Sequence, residues 1–107
     1  MVPIMRESGT WMTIWDDRIL EYVREHDGST VGEIAKDDSI RVSNAHVSRR
    51  CKKLAEEGLL LEIGNGAYVI TDEGEGYLDG EYDAENHVFL DEFDNESGPT
   101  AGESTEP

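Results

Sequence analysis

Ser43-Asn44-Ala45-His46-Val47-Ser48-Arg49-Arg50-Cys51-Lys52-Lys53-Leu54-Ala55-Glu56-Glu57-Gly58-Leu59-Leu60-Leu61 is the stretch on which the fold turns. A serine suited to an N-cap opens it, and Gly58 supplies a stop. At 100° per residue, Val47, Cys51, Leu54 and Gly58 fall within about 60° of one another. They form an apolar stripe. Ala45, Arg49, Lys52 and Glu56 lie opposite, with Ser48 on one flank and His46 and Lys53 on the other. Arg50 sits at the stripe's edge, where its stem can pack while its head emerges. The pattern predicts a helix over 43–58, buried on one side and basic on the other.

The charge around this helix sets it apart. With Arg41, the stretch holds five of the nine basic residues, in a chain of 107 residues with 25 acidic ones and a net charge of -16. No acid occurs between Asp38 and Glu56. Residues 1–80 carry all 9 basic residues and 16 acidic ones, whereas residues 81–107 carry 9 acidic residues and no basic one. A strongly acidic chain argues against a polyphosphate partner. Binding, however, follows the local field, and the local field of this helix is positive. Many acids, only three lysines and many small residues fit a salt-rich cytoplasm, where screening makes high charge cheap.

Working outward, Thr30 and Glu33 form a Thr-x-x-Glu capping box and predict a short helix over about 31–37. Asp38 and Ser39 form the turn, with Ile40 and Val42 as apolar anchors. Thr13 and Asp16 form a similar box, and Trp15, Ile19, Tyr22, Val23 and His26 share one stripe of a first helix over about 14–27. Trp11 and Met12 precede the cap and are apolar, and Ile14 and Leu20 fall off that stripe. Either they pack inside the domain or they form a second apolar patch facing another copy of the chain. Residues 1–10, with Pro3 and Gly9, are expected to be a flexible lead-in.

On the other side, Leu59–Ile63 and Ala67–Thr71 read as strands around a tight Gly64-Asn65-Gly66 turn. A fourth helix follows from Thr71 or Asp72 to about Gly80, weakened by Gly74 and Gly76. Residues 84–94 include His87-Val88-Phe89-Leu90 and Phe93, a possible docking segment. It could form a strand, a helical turn or a partner-binding piece. Residues 95–107 have the composition of an acidic disordered tail. The tail is expected either to solubilise the chain or to compete with phosphate for the basic face.

Helix, short helix, turn, helix and hairpin in this order make a helix-turn-helix with a wing. The expected fold class is α+β, mostly helical: one winged helix-turn-helix domain over 11–83 with a short two-stranded wing. Val42-Ser43-x-x-x-Val47-Ser48-Arg49-Arg50-Cys51-Lys52-Lys53-Leu54-x-x-x-Gly58-Leu59-Leu60 resembles the recognition-helix signature of winged-helix transcription regulators of the MarR/ArsR type. Tyr68-Val69-Ile70-Thr71-Asp72-Glu73-Gly74 looks like the end of their wing and the start of the next helix. The resemblance spans about Trp11 to Asp83 and is strongest to the small phi-H repressor-like regulators of halophilic archaea. It implies a homodimer on a pseudo-palindromic operator. The Gly64-Asn65-Gly66 tip departs from the commonest wing in having no Arg or Lys.

A helix fits the major groove of DNA, and its N-terminal half approaches the bases. Ser43, Asn44, Ala45, His46, Ser48, Arg49 and Lys52 are therefore candidate contacts. Arg49 is the choice for a bidentate bond to guanine, and Ala45 leaves room or touches a thymine methyl. Arg41, Arg50 and Lys53 are expected on phosphates, and Asn65 at the wing tip. Trp11, Met12, Ile14 and the segment after Gly80 are the expected dimer contacts.

No enzyme is expected, because no Gly-rich strand-to-helix loop, Ser/His/Asp grouping or Cys-x-x-Cys is present. No cofactor is expected either. His26, His46 and His87 lie in three different elements and would join Cys51 at a metal only if the fold gathered them. Cys51 on the apolar stripe reads as a core residue, with redox sensing as the alternative. No signal peptide or membrane span is visible, so a cytoplasmic location is expected. The competing functional class is a winged-helix module that binds protein rather than DNA.

Overall fold

The helix at the centre of the sequence forms, and its ends show why. In the computed structural model, which describes residues 5–90, α3 runs Asn44–Glu56. Ser43 Oγ accepts the N–H of His46 at 3.1 Å. At the other end Leu59 N–H reaches back to Leu54 O at 2.9 Å and Gly58 N–H to Ala55 O at 3.1 Å. This closing pattern needs a left-handed residue, and Gly58 supplies it at φ 86°. Val47, Cys51 and Leu54 are its buried residues, the expected stripe.

Three further helices surround it. α1 spans Ile14–Glu25, and its Asp16 carboxylate accepts the Thr13 N–H at 3.1 Å. α2 spans Val31–Ala35 behind the Thr30–Glu33 capping box. α4 spans Asp72–Leu78, with Thr71 Oγ1 accepting the N–H of Gly74 at 3.0 Å. Ile19, Leu20 and Val23 from α1, Ile34 from α2, the α3 stripe, and Tyr77 and Leu78 from α4 meet in one core.

The wing strands are β2, Leu60–Glu62, and β3, Ala67–Ile70. They pair antiparallel with Leu61 opposite Val69. A third strand, β1, Ser29–Thr30, pairs with the other edge of β3, placing Ser29 opposite Tyr68. The sheet order is therefore β1-β3-β2. Two residues of Ser and Thr give no alternation to read, so β1 was invisible to pattern. It forms because β3 offers an unpaired edge.

Gly74 and Gly76 are packing requirements rather than defects. A Cβ on Gly74 would stand 2.3 Å from Leu59 O, and one on Gly76 would stand 2.6 Å from the Phe89 ring. Both glycines let α4 lie against its neighbours. Phe89 belongs to β5, Val88–Phe89, which pairs with β4, Tyr82–Asp83. Its ring meets Tyr82 edge-on at 4.8 Å between centroids.

Three expectations need correction. Residues 5–10 are not a loose lead-in. Ala84 N–H bonds Glu7 O at 2.9 Å, Arg6 Nε donates to Leu78 O at 3.0 Å, and Arg6 Nη1 meets Glu21 Oε2 at 2.8 Å. Ser8 Oγ also meets the Tyr77 hydroxyl at 2.9 Å. These partners lie far along the chain, so local composition could not show them. After Gly80, residues 81–90 fold back as a hairpin on α4 of their own chain. Among the expected dimer contacts, Trp11 and Met12 pack against the core while Ile14 stays 62% exposed, and Leu20, left open between core and second patch, is fully buried. Phe93 and the 95–107 tail lie outside the described residues. Among the described residues no helix is long and apolar enough to cross a membrane.

Candidate nucleic-acid interface

The outward face of α3 is built by the same phase that buries Val47, Cys51 and Leu54. Asn44, Ala45, Arg49 and Lys52 are exposed on it, and Ser43 and Arg41 are exposed just before it. Ser48 is half-buried on the flank. The Arg41 guanidinium is steadied by its Nε, which donates to Asp38 O at 3.2 Å.

Ion pairing sorts the cations. Arg6 pairs with Asp17 and Glu21, Arg18 with Glu21, Arg24 with Asp79, Arg50 with Asp16, and Lys53 with Glu57. Among the described residues, Lys36, Arg41, Arg49 and Lys52 remain without a carboxylate partner. All four lie between the end of α2 and the middle of α3. Among the described residues, free cationic charge is thus confined to the helix-turn-helix, although the chain's net charge is -16. Lys36 was missing from the expected set. It is the C-cap residue of α2 and exposed, and its signal was its place at the start of the turn that leads to the basic helix.

Three expected contacts are placed differently. The Arg50 head does not emerge. Its Nε and Nη2 grip Asp16 at 2.8 and 2.7 Å, and Nη2 also donates to Trp11 O at 2.9 Å. The carboxylate holds this guanidinium above its ordinary range, with burial opposing. His46 turns its Nε2 into the protein, where that atom has no hydrogen-bond partner. Lys53 stands at the rim. Its Nζ meets Glu57 at 3.0 Å and lies 5.7 Å from the centroid of the Trp11 ring. Lys53, with His87 on the far side, holds the Glu57 carboxyl below the usual carboxylate range.

The wing carries no cation. Asn65 sits exposed at its tip in a left-handed conformation, φ 51°. Leu61 on β2 and Ile63 just after it are 56% and 53% exposed, and Glu62, between them in sequence, is exposed too. Cys51 is fully buried, and burial beside Asp16 pushes its thiol up to about 12. That suppresses the thiolate needed for redox chemistry. Among the described residues, no three His, Cys, Asp or Glu side chains gather as a metal site.

A short helix, a turn, a capped helix whose outer face holds the free cations, and an antiparallel wing define a winged helix-turn-helix transcription regulator that binds double-stranded DNA. The comparisons with known proteins agree. Residues 5–88 match the family described as winged helix-turn-helix phage repressor, and the chain belongs to that family. It is 36% identical over 87 residues to the repressor protein of Halobacterium phage phiH, covering 77% of this chain and 96% of that one. It is also similar to the crystal structure of the PhiH1 repressor-like protein from Haloarcula marismortui. That similarity has a TM-score of 0.78 and 54% identity, covering 81% of this chain and 99% of the other. Both relatives come from halophilic sources, in keeping with the acid-rich composition.

Proposed function

We propose that this protein represses transcription by binding a pseudo-palindromic operator as a homodimer, with α3 of each copy in a major groove. The observation that carries the proposal is the confinement of unpaired cations to Lys36, Arg41, Arg49 and Lys52. Arg49 is assigned to a guanine edge, where its two-pronged guanidinium matches the O6 and N7 acceptors. Asn44, Ala45, Ser48 and Lys52 complete the groove contact. Ser43, Arg41 and Lys36 hold phosphates and set the register. Lys53 reaches phosphate only by leaving Glu57, and Asn65 adds an uncharged contact at the wing tip. A half-site spacing near one helical turn, about 34–36 Å, is expected of such a dimer.

Selection from a random duplex pool tests this, combined with footprinting on the region upstream of the protein's own coding sequence. Both are run in dilute and in concentrated potassium chloride. Concentrated salt reduces the gain from counterion release, so base contacts carry a larger share of affinity there. A selected inverted repeat, protected on one duplex face, is the expected result. Selection of no sequence sinks the proposal. Sedimentation with and without Ile14→Asp tests whether the exposed isoleucine is a dimer contact.

A second reading has one observation in its favour: the exposed Leu61 and Ile63 on a wing without cations suit a protein partner. Under that reading Arg49→Ala changes no DNA binding, while Leu61→Ser abolishes partner capture.

A further inference from the structure

Arg49 and Arg50 are adjacent on one helix, yet only Arg49 is free. Arg50 is held by two prongs on Asp16, at 2.8 and 2.7 Å, with a third bond to the carbonyl of Trp11 at 2.9 Å. Asp16 is itself fixed, because the same carboxylate accepts the Thr13 N–H that starts α1. It is 0% exposed. It therefore cannot touch DNA, and its only cationic partner among the described residues comes from α3. Trp11 is used twice: its carbonyl receives Arg50, and its ring lies beside Lys53, three residues further along α3. The start of α1 thus grips one edge of α3 at two successive levels.

The physical consequence concerns rotation. The buried contacts of α3 are the apolar side chains of Val47, Cys51 and Leu54, and apolar burial is non-directional. Apolar packing alone tolerates a few degrees of roll. A planar guanidinium bidentate on a carboxylate does not, since both bonds demand one orientation. A buried pair of this kind is weak evidence of net stability, and in some proteins such polar groups set register instead. Along α3, one residue is 100° of rotation, so the phase that turns Arg50 inward turns Arg49 outward.

We propose that the Asp16–Arg50 pair is a positioning device. It fixes the roll of the recognition helix so that Arg49 and Lys52 meet the base edges, and Arg50 itself makes no phosphate contact. The inference rests on the DNA-binding reading and adds to it a residue pair that sets specificity without touching DNA.

Arg50→Lys tests it with charge held constant. Lysine can still pair with Asp16, but it lacks the fork and cannot hold Asp16 and Trp11 O together. Three affinities are measured by fluorescence anisotropy across a salt series: for the duplex selected by the parent protein, for the same duplex with the guanine base pair replaced, and for a random duplex. Near-ultraviolet circular dichroism and a thermal melt confirm folding. Arg50→Lys is expected to keep random-duplex affinity and the salt slope while losing discrimination about tenfold. The neutral pair Asp16→Asn/Arg50→Met retains the Thr13 cap and removes both charges, so it serves as the folded control if the lysine variant melts. It is expected to lose discrimination in the same way. Parent-level discrimination in either folded variant overturns the proposal. So does a salt slope lowered by about one unit in Asn/Met with discrimination intact, because that is the signature of a lost phosphate contact. A parent that selects no duplex overturns the DNA-binding reading itself, a result distinct from loss of discrimination in a variant.

Discussion

The helix-turn-helix and the wing lie next to each other in sequence but use their surfaces differently. Residues 36–52 hold every cation left unpaired among the described residues, and the outer face of α3 is polar and basic. The wing, from β2 to β3, holds none, and it exposes Leu61, Glu62 and Ile63. The difference teaches that the wing here is chiefly a structural element. Tyr68 on β3 is buried beneath it, and β3 is the central strand, flanked by β1 and β2. Its work is to close the core and tie the start of α2 to the sheet. Recognition falls on α3 and the turn before it.

The largest effect that separates structural from reading positions is expected at Arg50. Arg50→Met leaves Asp16 buried and unpaired, and should cost about 3–5 kcal/mol of stability by urea denaturation. Arg49→Ala, one residue away, should leave that midpoint unchanged. Equal melting of the two variants would break the distinction between them.

Next in size is the packing of α4 beneath the wing. Gly74→Ala puts a methyl against Leu59 O and should cost about 1–3 kcal/mol in the same assay. Arg49→Ala should cost about 1–3 kcal/mol of binding at a single base position and nothing at the others. A uniform loss across all base positions would reassign Arg49 to phosphate.

Lys36→Ala and Arg41→Ala should weaken all duplexes alike, each lowering the salt slope by about one. The smallest change sharpens the comparison itself. Asn65→Lys gives the wing the charge it lacks and should raise affinity for random duplex, with the salt slope higher by about one. No change would place the tip away from the DNA backbone. Unlike these, Cys51 offers a yes-or-no check. With its thiol pushed up to about 12, it should not react with a disulfide reagent at pH 8 in the folded protein, and should react once urea unfolds it.

Much of the fold was legible because its cues are local. The Thr30–Glu33 and Thr13–Asp16 boxes, the Ser43 cap, the Gly58 stop and the 3.6-residue stripe of Val47, Cys51 and Leu54 each act within a few residues. They located α1, α2 and α3, while the Gly64-Asn65-Gly66 turn located the wing strands and Thr71 or Asp72 the start of α4. What escaped is carried by partners far apart in the chain. Arg50 meets Asp16 across 34 positions, and Arg6 meets Leu78 across 72. β1 exists through the free edge of β3, and the hairpin after Gly80 through the space left by Gly76. The edge position assigned to Arg50 was correct, but the direction of its head was not, because periodicity gives an angle and not a partner.

The sequence by itself determined that a basic helix would stand outward behind a turn and ahead of a wing, since caps, periodicity and charge spacing are properties of neighbouring residues. Only the tertiary structure decided which of its cations are free. That outcome depends on where 16 acidic residues of the first 80 come to rest. Asp16 reaches Arg50, Glu57 reaches Lys53, and no described carboxylate pairs with Lys36, Arg41, Arg49 or Lys52. A carboxylate neutralises a cation only within a few ångströms; for Lys53 and Glu57 that distance follows from their i,i+4 spacing, but for Arg50 and Asp16 it is set by the packing of helices.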